Sequence, residues 1–173
     1  MNLGRCEQWS AKMLLIISDA SVLIDIEDGG LTSVMFSLSW KFAVPDVLFE
    51  EELSQQHSHL TQMGLESKSM SGELIAEAYA LHQQYARPSV NDMLALTLAK
   101  AEGCQLLTAD QALRNAAKEL CVEVHGTIWL VEQMLLYNKI MVDIARASFQ
   151  KMKESGSHLP WVEVDKMLFR YSK

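Results

Sequence analysis

Residues 105–117, "QLLTADQALRNAA", carry the pattern that decides the fold: a short apolar run, a polar turn and a segment with helical spacing. The run ends at Thr108, and Asp110 stands where the helix is predicted to begin. Ligands of open parallel sheets bind beyond the carboxyl ends of the strands, so an acid here is a candidate site residue. Aspartate is also a favoured helix cap, because its carboxylate accepts a backbone N–H of the first turn. Both roles of Asp110 stay open.

The same alternation of strand and helix recurs along the chain. Residues 14–18 ("LLIIS"), 40–44 ("WKFAV") and 121–125 ("CVEVH") are predicted strands, and each precedes a segment with helical spacing. Residues 55–70 are polar and lack a period, which predicts a loop. The chain beyond residue 138 is helical in pattern. Repeated strand–helix units are typical of a parallel sheet covered by helices.

Composition and charge exclude several classes of protein. The 173 residues, of which 49% are hydrophobic and 21% charged, predict one globular domain. The longest apolar run has five residues (13–17), and the N-terminus lacks a signal-peptide layout, so we expect a cytoplasmic protein without a membrane span. Cys6, Cys104 and Cys121 form no CxxC pair, which argues against a zinc knuckle or a disulfide framework. A net charge of −7 excludes a broad basic surface for nucleic acid and is compatible with acids gathered around a divalent cation.

Further acids stand at positions where a ligand would bind. Asp19 follows the strand "LLIIS", and Asp110 comes two residues after the predicted strand "CQLLT" (104–108). Asp92 lies on a helix that Ser89 is predicted to cap, and the residues three, four and seven positions after it are apolar, so it shares the inward face. Spacing alone is equally consistent with a capping box between Asp92 and Ser89.

The run Glu50–Glu51–Glu52 is predicted to be a solvated face for two of its members, while the third faces inward. Glu51 and Glu52 both follow apolar residues at three and four positions, so periodicity does not choose between them. His57 and His59 form an HxH pair in the polar loop, and no third ligand stands nearby. We therefore expect no metal at the two histidines.

Four stretches taken in order resemble a PIN domain. They are "LLIISDASVLID", "VPDVLFEEEL", "PSVNDMLALTLAKAEGCQLLTADQALRNAAKE" and "VHGTIWLVEQM", and the resemblance runs from about Met13 to Met134. It implies a three-layer α/β/α sandwich with a central parallel sheet, to which this chain adds C-terminal helices. It also implies a cluster of acids that binds Mg²⁺ or Mn²⁺ and hydrolyses phosphodiester bonds, usually of RNA. Many members are VapC-type toxins, which an antitoxin holds inactive and which are often dimers.

The resemblance carries the family's catalytic acids over to four positions of this chain: Asp19, Glu51, Asp92 and Asp110. Glu51 is chosen by its distance from Pro45, and Glu50 stays an alternative. Asp19, Asp92 and Asp110 are the implied metal ligands, while Glu51 completes the cluster or orients the attacking water. The hydroxyls implied to support these acids belong to Ser21 and Thr108.

We predict three parts in the chain: an N-terminal extension (1–12), a PIN-like nuclease domain (13–137) and a C-terminal helical extension packed on the same domain (138–173). The leading function is a metal-dependent ribonuclease that is the toxin of a type II toxin–antitoxin pair, with RNA as substrate, an antitoxin as partner and a homodimer as its form. The alternative is a non-catalytic PIN-like module that binds another protein and whose acids only cap helices.

Overall fold

The computed structural model describes residues 14–172, so the predicted extension over residues 1–12 lies outside the described residues. In chain order the elements are β1 (Leu15–Ser18), α1 (Ala20–Asp28), α2 (Thr32–Phe36), β2 (Lys41–Pro45), α3 (Asp46–Leu48), a π-helical turn (Phe49–Leu53), α4 (Leu60–Met63), β3 (Glu66–Lys68), α5 (Gly72–Gln84), α6 (Val90–Glu102), β4 (Gln105–Leu107), α7 (Gln111–Glu119), β5 (Val124–His125), α8 (Thr127–Leu136), α9 (Val142–Glu154) and α10 (Trp161–Tyr171).

The sheet has five strands, all parallel, in the order β3-β2-β1-β4-β5. The chain winds outward from β1 to β2 and β3, then returns to the other side of β1 for β4 and β5. The winding therefore reverses between β1 and β4, where Ser18 pairs with Leu107. A reversal of this kind opens a crevice at the carboxyl ends of the two strands. The residues that directly follow β1 and β4 therefore lie side by side in this crevice.

Helices bury the sheet on its faces. The central strand β1 has Ile16 and Ile17 fully buried, as expected for a strand covered on both sides. Helix α6 packs across β1, β2 and β4 and is covered by α5, while α1 contacts α2, α8 and α9. The predicted α/β/α sandwich with a central parallel sheet is confirmed. The bounds of α6 also agree with prediction, since Ser89 caps it and Gly103 ends it in the left-handed conformation.

The prediction of a loop over residues 55–70 is wrong, because this stretch contains α4 and the edge strand β3. Helix α4 has four residues, too few to show a period. Strand β3 pairs with β2 alone, and Glu66 and Ser67 are exposed, so it lacks the apolar alternation of a half-buried strand. Buried Leu60 and Leu65 attach the segment to the core.

The C-terminal helices pack on the body of the domain. Helix α9 contacts α1 and α8, and α10 contacts α8 and α9. Phe149 of α9 and Leu168 of α10 are buried. Cys104 and Cys121 are both free thiols. Over the part of the chain that the structure describes, no helix is long and apolar enough to cross a membrane.

Candidate metal centre

Asp19 is the most deeply buried acid of the crevice, with 2% of its surface exposed. It follows β1 directly, and its backbone N–H extends the sheet by donating to the carbonyl of Leu107 at 3.0 Å. It caps α1: Oδ1 accepts from the N–H of Val22 at 3.1 Å and from the hydroxyl of Ser21 at 2.8 Å. Oδ2 accepts from the hydroxyl of Thr108. The sheet and three donors thus fix the carboxylate on both of its oxygens.

Burial raises the pKa of the Asp19 carboxyl from its ordinary 3.8 to about 6, because the charged form loses its hydration. The hydrogen bonds from Thr108, Val22 and Ser21 lower this pKa, and the charge of Asp92 raises it further. Desolvation and like charge together outweigh three favourable donors. A cation beside Asp19 would offset both the desolvation and the repulsion. A residue that only caps a helix needs neither deep burial nor a second acid beside it.

Thr108 connects Asp19 to Asp110. Its fully buried hydroxyl donates to Asp19 Oδ2 and accepts from the backbone N–H of Asp110 at 3.0 Å. Its carbonyl accepts from Arg114 Nη1 at 3.2 Å, and its N–H donates to the carbonyl of His125 at 2.9 Å. A single threonine at the end of β4 therefore sets the relative placement of two acids from different helices.

Asp110 caps α7, where its Oδ1 accepts from the N–H of Leu113 at 2.7 Å. The residue is exposed, and within residues 14–172 nothing donates to its Oδ2. The cap therefore uses one oxygen and leaves the other free to bind a ligand. Both roles that the sequence left open for Asp110 are compatible with this placement.

Asp92 forms the capping box that its spacing allowed. Its N–H donates to the Ser89 hydroxyl at 3.0 Å, and its Oδ2 accepts from the N–H of Ser89 at 2.9 Å. The apolar residues that share its face, Ala95, Leu96 and Ala99, are buried. Its partly exposed carboxylate lies close enough to Asp19 to raise the pKa of that residue. In the described chain Oδ1 of Asp92 has no donor.

The glutamate run lies on the π-helical turn, which buried Phe49 and Leu53 anchor in the core. All three glutamates are exposed, so none of them is buried in the core. Glu51 and Glu52 both accept from the side-chain amide of Asn91, the neighbour of Asp92. Sequence reasoning missed Asn91, although its position directly before an acid of the candidate site was a usable signal.

As the side chains are placed, residues 14–172 contain no group of three His, Cys, Asp or Glu side chains that could hold a metal ion. The backbone N–H of Asp110 and the carboxylate of Asp19 share the Thr108 hydroxyl, and the charge of Asp92 acts on Asp19. Glu51 is hydrogen-bonded to the first turn of α6 through Asn91. The donor set consists of oxygen atoms, as Mg²⁺ and Mn²⁺ prefer. The set therefore fits such an ion in chemistry, and the free oxygens of Asp92 and Asp110 are available to it.

A cavity of about 410 Å³ opens beside Asp110. Ser21 and Asp110 line it on the side of the crevice, and residues 155–159, which connect α9 to α10, line it on the other. Asp25 in its wall accepts from the hydroxyls of Thr127 at 2.9 Å and Ser157 at 2.5 Å. The segment between α9 and α10 thus forms one wall of the cavity beside the candidate site.

The HxH pair lies apart from this crevice. His57 Nδ1 and His59 Nε2 contact the two carboxylate oxygens of Glu27, at 2.6 and 2.9 Å. The two rings attach the segment after the π-helical turn to the end of α1. We assign the two histidines no part in the candidate site.

A family model described as DUF3368, a PIN domain, matches residues 15–173. The chain belongs to the PIN-domain family. The resemblance stated from four short stretches is confirmed, and the match continues past Met134 through α9 and α10. Among curated proteins none matches the chain. PIN domains are generally nucleases that use divalent metals. The crevice described above therefore belongs to a nuclease-type fold.

Proposed function

We propose that this PIN domain is a Mg²⁺- or Mn²⁺-dependent endoribonuclease that hydrolyses RNA phosphodiester bonds. The observation that carries the proposal is the burial of the Asp19 carboxylate at the point where the sheet winding reverses. A second acid, Asp92, lies close enough to add to the rise in its pKa. Asp19, Asp92 and Asp110 are the residues proposed to hold the ion. When bound, a divalent ion supplies the positive charge that activates water and stabilises a leaving oxygen.

The chain's own groups have separate roles in this proposal. Thr108 and Ser21 hold the Asp19 carboxylate in one orientation, so the carboxylate is already oriented before the reaction begins. Glu51 orients the attacking water or accepts its proton, for which an exposed carboxylate near the crevice is suited. The cavity beside Asp110 and Ser21 gives the RNA chain space next to the acids.

We further propose that the protein is the toxin of a type II toxin–antitoxin pair in the cytoplasm. This step rests on the family, many of whose members are such toxins, and it implies an antitoxin as partner and a homodimer as its form. The neighbouring reading frame tests it. We expect that frame to encode a small protein with a DNA-binding motif, and an unrelated neighbour would count against the toxin role.

The experiment for the nuclease is cleavage of single-stranded RNA in the presence of Mg²⁺ or Mn²⁺. We expect cleavage by the unmodified chain and a loss of at least about 100-fold in Asp19→Asn and Asp110→Asn, since even a residue that only orients a ligand is worth about 10–100-fold. Asp165→Asn on the exposed surface of α10 is the matched control and keeps full activity. Circular dichroism checks that each variant is folded. Cleavage that persists in both site variants would remove the assignment.

The alternative, a non-catalytic module that binds another protein, is favoured by one observation. Asp19, Asp92 and Asp110 each accept a backbone N–H at a helix start, so each has a structural role without an ion. Under this alternative, RNA is not cut and millimolar Mg²⁺ leaves the melting temperature unchanged.

A further inference from the structure

One side-chain amide joins the glutamate run to the helix that carries Asp92. The amide nitrogen of Asn91 donates to Glu51 Oε2 at 2.9 Å and to Glu52 Oε1 at 2.8 Å. Asn91 lies in the first turn of α6, immediately before Asp92. A carboxamide has two N–H donors, and here each serves a different carboxylate. Residues 40 and 39 positions apart in sequence are thereby fixed to each other.

The π-helical turn explains why two successive glutamates reach the same amide. The N–H of Ser54 donates to the carbonyl of Phe49 at 2.8 Å, a bond between residues five positions apart. This wider turn changes the angle between neighbouring side chains relative to an α-helix, and such turns are frequent at functional sites. Without a donor between them, adjacent carboxylates repel each other. Asn91 offsets that repulsion and holds both on the side of α6.

Each glutamate uses only one oxygen in this arrangement. Oε1 of Glu51 and Oε2 of Glu52 receive no hydrogen bond from residues 14–172. Glutamate side chains have several rotatable bonds, and a flexible glutamate loses side-chain entropy when it binds an ion. A carboxylate that is already oriented by a neighbour avoids most of that loss.

We propose that Asn91 is a positioning residue of the candidate metal centre, which holds Glu51 and Glu52 next to the Asp92 turn and thereby raises the affinity for a divalent cation. The inference rests on the proposed function. It also accounts for the ambiguity of the glutamate run, because the structure holds Glu51 and Glu52 as a pair and leaves Glu50 outside it.

The test is titration of the full chain with Mn²⁺ by isothermal titration calorimetry, without RNA. We expect Asn91→Ala to weaken Mn²⁺ binding about ten-fold, the lower range for a residue that orients a ligand. Asn115→Ala is the matched control, because the Asn115 side chain is exposed on α7 and, within residues 14–172, hydrogen-bonds to Gln111 alone. The Mn²⁺ affinity of this variant stays unchanged. Alanine is a strong helix former, so the first variant keeps its fold, which a thermal melt verifies.

A second background separates positioning from a general effect on structure. In the double variant Glu51→Gln, Glu52→Gln, the change Asn91→Ala should cause no further loss of Mn²⁺ affinity, because its two partners have lost their charge. An equal ten-fold loss in that background overturns the inference. So does an Asn91→Ala affinity within two-fold of the unmodified chain. If the unmodified chain itself fails to bind Mn²⁺, the proposed function fails, and this inference fails with it.

Discussion

Two buried aspartates near helix α1, Asp19 and Asp25, have nearly the same local chemistry. Each accepts hydrogen bonds from two hydroxyl groups, and burial raises the pKa of both. In each case at least one hydroxyl comes from a distant part of the chain: from Thr108 for Asp19, and from Thr127 and Ser157 for Asp25. Burial, hydroxyl partners and a perturbed pKa therefore do not distinguish a functional acid from a structural one.

Position in the fold distinguishes them. Asp19 leaves the sheet where its winding reverses, and Asp92 from another helix adds like charge to it. Asp25 lies six residues further along the chain, within α1, and its partners belong to α8 and to the segment between α9 and α10. Its hydrogen bonds attach the C-terminal helices to the domain. We expect Asp19 to bind an ion and Asp25 to serve only the stability of the fold.

The largest expected effect is stabilisation by the ion itself. At about 100 times its dissociation constant, Mg²⁺ stabilises the folded chain by about 2.7 kcal/mol. For a domain of this size that raises the melting temperature by about 5–10 °C. Differential scanning fluorimetry should show the rise in the unmodified chain and in Asp25→Asn, and its loss in Asp19→Asn. A rise that disappears equally in both variants would break the distinction between the two aspartates.

The sequence was sufficient for the fold because the strand signals were strong where the site lies. The buried run that precedes Asp19 and the run that precedes Asp110 place both acids at the same edge of the sheet. Residues 55–70 were misread for the opposite reason: an edge strand and a four-residue helix contain too few apolar positions for a period to appear.

The candidate site was less accessible to sequence reasoning. Periodicity could not show that Asn91 joins Glu51 to Glu52, because a π-helical turn changes the phase of the side chains. It also could not predict that Asp25 would meet Ser157, 132 positions away. Contacts of this kind depend on how the C-terminal helices dock, which local spacing does not encode.

An intermediate effect is expected from a matched pair of substitutions, Thr127→Val and Thr108→Val. Each removes one hydroxyl that donates to a buried carboxylate without changing the size of the side chain. The loss of such a bond costs about 2 kcal/mol of unfolding free energy. Urea denaturation should show a loss of this size in Thr127→Val and a larger one in Thr108→Val, because the Thr108 hydroxyl also accepts from the N–H of Asp110. Mn²⁺ affinity should fall in Thr108→Val alone, and an equal fall in Thr127→Val would contradict the structural role given to Asp25.

The smallest expected effect is the pH dependence of stability in the metal-free protein. The folded pKa of Asp19, about 6, is higher than its ordinary 3.8, so the folded chain binds more protons than the unfolded chain between these values. Stability from this group is present at low pH and is lost as the pH rises through 6. Between pH 5 and pH 7 the loss is about 1 kcal/mol.

Asp25, whose pKa burial also raises, changes stability with pH in the same direction. Urea denaturation in EDTA at pH 5, 6 and 7 measures the combined effect. Asp19→Asn and Asp25→Asn should each flatten the pH dependence, since asparagine does not ionise and no longer incurs the cost of a buried charge. Saturating Mg²⁺ should flatten or reverse the remaining pH dependence of Asp25→Asn and leave the pH dependence of Asp19→Asn unchanged, because an ion favours the ionised form of Asp19 and has no contact with Asp25. A pH profile that Mg²⁺ alters equally in both variants would show that the ion does not bind at Asp19.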